Sequence, residues 1–406
     1  MVAQAVILCG GLGTRLGTLT EATPKPLLEV AGRPFLLHLI QEVARHGVPR
    51  ITLLAGHCGE QIKAAFHRQR LFGAEIEVLA EPAPLGTGGA LDLAVEHLDP
   101  EFMLLNGDSW IDADLTRFMR SWRRARERDP ALIVQMLLHR VADPARFGRV
   151  TLEGDRVASF NEKDALCMEG SGLVNAGVYV VDRRIVDRIA HHGACSLERE
   201  ILPRLVAERR VVATQAPEGA YFVDIGIPET LARVQDELMN VRTRPAVFFD
   251  RDGTLTRDSG DTHRAEDLIW MPQAREAIAL ANDKGYFVFV VTNQSGVARG
   301  FYEEAAVETF HRAMQDSLAQ IGAHVDAFHW RPHHREATIP AYRQGFSRRK
   351  PGPGMILDVL AAWPVERRRS FLIGNSEADI EAARTAGLRG VRYEGGSLLD
   401  ILSASF

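Results

Sequence analysis

"AVILCGGLGTRL" occupies residues 5–16. A short apolar run, Ala5–Cys9, breaks into Gly10, Gly11, Leu12, Gly13, Thr14 and Arg15. A buried strand ending in a Gly-rich turn is how an open α/β sheet begins, and such sheets bind ligands at the carboxyl ends of their strands. Glycines let backbone N–H groups close on phosphate oxygens, and an arginine adds charge-assisted bonds to a polyphosphate. Working outward, "RITLLAGH", "EIEVLAE" and "EFMLLNGD" read as further strands, and "RPFLLHLIQEVARHG" before them reads as a helix. This alternation predicts a parallel, doubly wound sheet. The stretch from "ALIVQMLLH" to "GLVNAGVYVVD" is richer in β signals and predicts an inserted, mixed part of the same sheet. "ETLARVQDELMNVRT" (229–243) reads as a closing helix.

The pattern then restarts. "AVFFDRDG", "FVFVVTNQSG" and "SFLIGNS" are apolar strands ending in polar residues, separated by helical stretches such as "PQAREAIALANDKG". A chain of 406 residues exceeds one typical core. The expectation is an α/β protein of two domains, 1–241 and 245–406. Each should be a Rossmann-like, mostly parallel sheet with flanking helices.

Composition is that of a soluble globular protein, 46% apolar and 25% charged with formal net charge -5. A net negative charge argues against nucleic-acid binding. The basic runs at 120–129 and 366–370 read as solvated helix faces. No signal peptide or membrane-length apolar run is evident, so no membrane partner is expected. Cys9, Cys58, Cys167 and Cys195 lack CxxC spacing and read as free thiols in a reducing cytoplasm.

The first half resembles the sugar-1-phosphate nucleotidyltransferases. "GGLGTRL" followed by "PKP" (24–26) is similar to their signature, with Thr18 a departure where many members have Pro. "LGTGGAL" (85–91), "LNGDSW" (105–110), "FGRV" (147–150), "FNEKD" (160–164), "GLVNAGVYV" (172–180) and "YFVDIGIPE" (221–229) recur in the family's order. The resemblance implies in-line attack of a sugar-1-phosphate oxygen on the α-phosphorus of an NTP, expelling pyrophosphate. It assigns Gly10, Gly11, Gly13, Thr14, Arg15 and Lys25 to the triphosphate, and Gly86, Thr87 and Gly88 to the base. Gly148, Glu162 and Asn175 go to the sugar, Lys163 to its phosphate, and Asp108 and Asp224 to Mg²⁺. Two polyanions must be brought together, so cations and hard oxygen ligands are what the chemistry needs. The closest branch acts on heptose-1-phosphate or mannose-like substrates, often with GTP.

The second half resembles the haloacid dehalogenase superfamily of phosphatases. "FFDRDGTLT" is similar to motif one, making Asp250 the nucleophile and Asp252 the acid that protonates the leaving group and then activates water. "VVTNQSG" (290–296) supplies Thr292 and Asn293 for phosphate, Lys350 in "RRKPGPGM" supplies the cation, and "LIGNSEADIEAARTAG" (372–387) is similar to motif four. Asp250, Asp252, Asn375 and Asp379 would hold Mg²⁺, with Asn375 standing where the family usually has Asp. "TNQSGVARGFY" and "RPHH…RRKPGPGM" are very like the heptose bisphosphate and histidinol phosphatases, which adds Arg299 and Arg349 as substrate contacts. Those relatives keep a zinc loop. Here its ligand positions read Arg331, His333, Phe346 and Arg348, so no zinc is expected. Phe346 could pack inward and the arginines pair with acids or substrate phosphate.

Together the halves imply consecutive steps on one sugar. The second domain would hydrolyse a heptose bisphosphate, and the first would join the resulting heptose 1-phosphate to a nucleotide. The implied partners are an NTP (GTP favoured), a sugar-1-phosphate and a sugar bisphosphate, with homo-oligomerisation left open. The alternative is a mannose-1-phosphate or other hexose-1-phosphate nucleotidyltransferase with a weak or silent second domain.

Overall fold

A computed structural model describes residues 2–144, 148–162, 170–189, 193–343 and 347–406, with the backbone alone at 161 and 162. The chain forms two compact units, Met1–Ala44 with Val48–Val241 and Arg45–Gly47 with Arg242–Phe406.

The first unit is built on strands β1 (Gln4–Leu8), β2 (Arg50–Ala55), β3 (Ala74–Ala80), β4 (Glu101–Asn106), β5 (Ser109–Ile111), β6 (Val134–Val141), β7 (Gly148–Glu153), β8 (Arg156–Glu162), β9 (Gly172–Asp182), β10 (Val211–Gln215) and β11 (Phe222–Asp224). Among the described residues the main sheet has ten strands, in the order β7-β8-β10-β6-β9-β4-β1-β2-β3, with Arg70–Leu71 at the far edge. Strands β4, β1, β2 and β3 run parallel. Their near-continuous apolar sequences follow from burial on both faces. In β1, Ala5 and Ile7 enter one core cluster with Phe35, Leu39 and Val43 of the helix Phe35–Arg45, while Val6 enters a second with Leu54, Leu104 and Tyr179.

The expectation of a mostly parallel sheet fails here. Strand β9 lies antiparallel between β4 and β6, and β7 is antiparallel to both β8 and β9. Strands joined by short connections can return antiparallel, whereas parallel neighbours need a crossover. The region read as an inserted, mixed part is where this happens.

A separate ribbon pairs β5 with β11, setting Asp224 opposite Ser109. The closing helix α1 (Pro228–Arg242) is stapled to the start of the unit. Gln235 Nε2 donates to Glu29 O at 2.7 Å, and its Oε1 accepts from Ala31 N at 2.9 Å.

The second unit has strands β12 (Ala246–Phe249), β13 (Phe287–Asn293), β14 (Ala327–Arg331), β15 (Phe371–Gly374) and β16 (Arg389–Arg392) in the order β14-β13-β12-β15-β16, all parallel. Helices α2 (Ala274–Asp283) and α3 (Glu304–Ala319) supply Ala274, Ile278, Phe310 and Met314 to a core with Val247, Phe249, Val288 and Ile373. Phe248, Phe289 and Trp363 pack together elsewhere in this unit. Helix α4 (Gly354–Ala362) follows the segment carrying Lys350, and α5 (Glu377–Thr385) follows β15. Among the described residues no helix is long and apolar enough to cross a membrane.

Candidate active sites

In the first unit the Gly-rich loop leaves β1 with Cys9 N bonded to Leu54 O at 2.7 Å. A Cβ on Gly10 would lie 2.5 Å from Glu81 Oε1, and one on Gly56 would lie 2.8 Å from Gly10 Cα, so the loop passes where only glycine fits. Gly13 has φ +65°, and a Cβ there would strike the Thr20 side chain. Gly11, Thr14 and Arg15 are exposed.

The loop's chain then turns back to bury Lys25, whose Nζ meets Asp108 Oδ2 at 2.7 Å. Ser109 Oγ lies 3.2 Å from Asp108 Oδ1 and 3.5 Å from Asp224 Oδ2. Gly226 N donates to Asp224 Oδ1 at 2.7 Å. A Cβ on Gly226 would lie 3.1 Å from both Arg15 Nη2 and Lys25 Nζ. Arg15, Lys25, Asp108 and Asp224 therefore meet at one point. Burial, and then the neighbouring Asp108, push the Asp224 carboxyl above its ordinary range, with Lys25 opposing. Two carboxylates crowded in this way form an oxygen donor set suited to Mg²⁺, whose charge would relieve the crowding.

The other expected contacts are less open. Thr87 Oγ1 donates to Glu198 Oε2 at 2.7 Å and accepts from Leu197 N at 2.8 Å. Gly86 and Gly88 face Cys195, which a Cβ on either would strike. Asn175 Nδ2 donates to Tyr179 Oη at 2.5 Å and its Oδ1 accepts from Gly177 N at 3.0 Å, across a register shift between β9 and β6. Gly148 lies against Phe160. Lys163, and the side chain of Glu162, lie outside the described residues.

One residue went unread. Glu81, at the end of β3, accepts from Leu85 N at 3.1 Å on Oε2 and packs against Gly10. Burial raises its carboxyl above the ordinary range, opposed by the Leu85 N–H. Its position as the last residue of the strand predicted over "EIEVLAE" was the available signal.

In the second unit Asp250 follows the central strand β12, with its N–H on Ile373 O at 3.0 Å. Lys350 Nζ lies 2.5 Å from Asp250 Oδ1 and 2.6 Å from Asp379 Oδ1. Burial pushes the Asp250 carboxyl up to about 6; Lys350 opposes this, while Asp379 and Asp252 add to it. Burial works against the Lys350 ammonium, but Asp250 and Asp379 hold it above its ordinary value. Asp379 Oδ2 accepts from Ser376 N at 2.9 Å and from Ser376 Oγ at 2.6 Å, so both its oxygens are engaged.

Asp252 accepts from Arg251 Nε at 2.9 Å and from Gln294 Nε2 at 2.7 Å, with Thr292 Oγ1 3.5 Å away. Arg251 is fully buried, donates to Gln294 Oε1 and Thr262 O, and lies 4.6 Å over the Phe310 ring. Neither Arg251 nor Gln294 was singled out from sequence, although one sits between the two aspartates and the other inside "TNQSG". Asn293 is placed differently from the expected phosphate contact. Its amide is exchanged with the backbone of Lys350, Nδ2 to O and Oδ1 from N, both at 3.1 Å.

The Asn375 side chain lies against Gly253, whose φ of +78° and missing Cβ make room for it. Three carboxylates, one amide and a single lysine again form an oxygen-rich set that fits Mg²⁺. Arg299, His334, Arg349, Lys350 and Glu381 line an adjoining hollow of about 840 Å³. Of the four loop positions singled out in the sequence, Arg331, His333, Phe346 and Arg348, Phe346 lies outside the described residues. Arg331 and Arg348 both reach Asp358, at 3.0 and 3.2 Å, and His333 meets the Tyr342 ring edge-on.

A polyphosphate-type loop beside paired carboxylates, and an Asp–Lys–Asp cluster at the end of a parallel sheet, define an enzyme of phosphorus chemistry with one centre in each unit. Residues 4–241 match the Nucleotidyl transferase family and residues 347–399 match HAD-hydrolase-like proteins. The chain belongs to the nucleotidyl transferases through its first unit and to the HAD phosphatases through its second. It is 50% identical over 152 residues to a D-glycero-beta-D-manno-heptose-1,7-bisphosphate 7-phosphatase of Rhodopseudomonas palustris, covering 37% of this chain and 84% of that protein. It is 36% identical over 258 residues to a mannose-1-phosphate guanylyltransferase of Mycobacterium tuberculosis, covering 63% and 70%. It is 31% identical over 227 residues to a D-glycero-alpha-D-manno-heptose 1-phosphate guanylyltransferase of Campylobacter jejuni, covering 56% and 96%.

Proposed function

We propose that the chain makes a nucleotide-activated heptose in two steps, with residues 245–406 as the phosphatase domain and 1–241 as the nucleotidyltransferase domain, each on a Rossmann-like sheet. The first step releases the C7 phosphate of a heptose 1,7-bisphosphate. The second transfers GMP from GTP to the heptose 1-phosphate and releases pyrophosphate. The observation that carries this reading is that one chain presents both the Asp250–Lys350–Asp379 cluster and the Arg15–Lys25–Asp108–Asp224 cluster.

In the phosphatase step Asp250 attacks phosphorus, the bond to the sugar oxygen breaks, and Asp252 protonates that oxygen as it leaves. Asp252 then takes a proton from water, which attacks the aspartyl-phosphate and frees Asp250 and inorganic phosphate. Lys350 offsets charge on the phosphoryl group and on Asp250. Arg251 and Gln294 hold Asp252 in place from opposite sides. Thr292 faces the same carboxylate, while Arg299 and Arg349 offer charge to the rest of the substrate.

In the transfer step Arg15 and Lys25 offset the triphosphate. The loop Gly10, Gly11, Gly13 and Thr14 turns N–H groups toward it, and the segment Gly86–Gly88 lies along the base. Gly148, Glu162, Lys163 and Asn175 are assigned to the sugar phosphate. Asp108 and Asp224 in one site, and Asp250, Asp252 and Asn375 beside Asp379 in the other, would hold Mg²⁺, which supplies charge neutralisation and Lewis acidity. The guanine preference rests on Glu81. A carboxylate only accepts, and guanine alone offers two adjacent donors, N1–H and N2–H, on its pairing edge. Free thiols at Cys9, Cys58 and Cys195 suit a cytoplasmic enzyme.

The second reading is a mannose-1-phosphate guanylyltransferase with a silent phosphatase domain, favoured by Asn375. A panel of GTP, ATP, UTP and dTTP with heptose and mannose 1-phosphates, and phosphate release from the matching bisphosphates, separates the two. Phosphate release from heptose 1,7-bisphosphate together with GTP-dependent consumption of the product supports the two-step reading. No release from any bisphosphate overturns it.

A further inference from the structure

We propose that Asp358 is a positioning residue of the phosphatase site: its carboxylate ties the end of β14 to the residue preceding Arg349 and Lys350, and so closes the base of the chain segment that walls the substrate hollow. The proposal rests on the phosphatase reading for its kinetic consequence, and on geometry alone for the tie itself.

Asp358 lies on α4, and its two oxygens are divided between two cations. Arg331 Nη2 reaches Oδ2 at 3.0 Å, and Arg348 Nη2 reaches Oδ1 at 3.2 Å. Arg331 ends β14. Arg348 stands one residue before Arg349 and two before Lys350. The carboxylate thus joins Arg331 to Arg348, seventeen residues further along the chain. Two guanidiniums brought this close would repel each other, and one anion between them turns that repulsion into a tie. The nearby His329 does not compete for the carboxylate, since burial pushes its pKa down to about 4 and it stays neutral.

Described residues between the two arginines face the site. His334, Arg335 and Ser347 line the hollow together with Arg299, Arg349 and Lys350. Arg349 Nη1 donates to His333 O at 3.2 Å, so the segment and the substrate-facing arginine hold each other. The Asn293 amide fixes Lys350 at its backbone, one strand away. Asp358 and Asn293 therefore anchor the "RRK" run (348–350) at its first and last residues, on either side of Arg349. Arg331 and Asp358 are each 29% exposed and Arg348 is 60% exposed, so the Arg331 arm carries more of the tie than the Arg348 arm.

The test uses the full chain with Asp358→Asn, Asp358→Glu and Arg331→Gln, read by hydrogen exchange of peptides within 332–343 and by phosphate release from the sugar bisphosphate. Asp358→Asn should speed exchange of those peptides about two- to fivefold while leaving peptides of β12 and β13 unchanged, as expected for loss of a partly exposed ion pair. It should raise KM by a similar factor with kcat held within about twofold, because substrate capture is loosened and the reacting groups are not touched. Arg331→Gln should do the same, the double variant should be no worse than either single one, and Asp358→Glu should recover part of both effects. Unchanged exchange at 332–343 in Asp358→Asn overturns the proposal. So does faster exchange throughout the unit with kcat and KM worsening together, which would mark a merely structural residue. If the unaltered protein releases no phosphate, the phosphatase reading fails and the exchange measurement alone decides the tie.

Discussion

Asn375 is the residue on which the second site turns. Its side chain lies against Gly253, one residue beyond Asp252, which is among the residues proposed to hold Mg²⁺. An amide oxygen coordinates without contributing charge. Asn375→Asp should lower the Mg²⁺ concentration for half-maximal phosphatase rate by several-fold and leave nucleotidyl transfer unchanged, as read by phosphate release against Mg²⁺. Coincident curves would take Asn375 out of the metal's reach. Asp250 makes a prediction of its own. Its pKa of about 6 is raised, so the nucleophile loses its charge as pH falls through that value. A divalent cation favours the ionised form. The acid limb of the phosphatase rate should therefore lie near pH 6 at limiting Mg²⁺ and move to lower pH as Mg²⁺ is increased, and a limb fixed in place would show that another group sets it. In the first unit, Glu81→Gln replaces a pure acceptor with a donor–acceptor pair. That should cost kcat/KM for GTP roughly ten- to a hundredfold, from about 1–3 kcal/mol of base discrimination. It should also narrow the gap to UTP and dTTP, which a nucleotide panel measures.

Elements carry the next layer. The register shift in β9 lets Asn175 bond both Tyr179 and Gly177, and it needs Gly177 at φ +71°, with a Cβ there only 2.9 Å from Asn106 Nδ2. Gly177→Ala should destabilise the first unit by about 1–3 kcal/mol, combining a left-handed alanine with a clash. Urea unfolding measures it, and an unchanged midpoint would mean that the backbone relaxes freely. The long strands were legible because parallel, doubly buried strands read as unbroken apolar runs, as in "AVILC" and "FVFVV". Strand β14, "AFHWR", was not: it is a half-buried edge strand carrying His, Trp and Arg. The ribbon of β5 and β11, which brings Asp224 to Asp108, has three residues a side and no periodicity to read. The direction of β9 was equally hidden, since apolar pattern marks burial and says nothing of which way a strand runs. The motif residues were legible as a set. Their partners Glu81, Gln294 and Asp358 were not, because those roles exist only through contacts across the fold.

At the level of the whole molecule two chemistries share one chain and should come apart cleanly. Asp108→Asn should cut pyrophosphate release roughly a hundredfold or more while phosphatase activity persists, and Asp250→Asn should do the converse. Loss of both activities from either change, with the fold intact by circular dichroism, would contradict one centre per unit. A different consequence follows from Gln235, which grips Glu29 and Ala31 across 206 and 204 residues of sequence. A ribosome making roughly 5–20 residues per second emits those two ends about ten to forty seconds apart. For that interval β1, β2 and β3 can already pair and the helix Phe35–Arg45 can pack on them, yet Glu29 and Ala31 still lack the helix Pro228–Arg242 that grips them, and Asp224 has not been made. The growing polypeptide therefore spends its early life with an apolar edge uncovered and no working centre. Newly made copies should lean on cellular holding factors until the helix Pro228–Arg242 has cleared the exit tunnel.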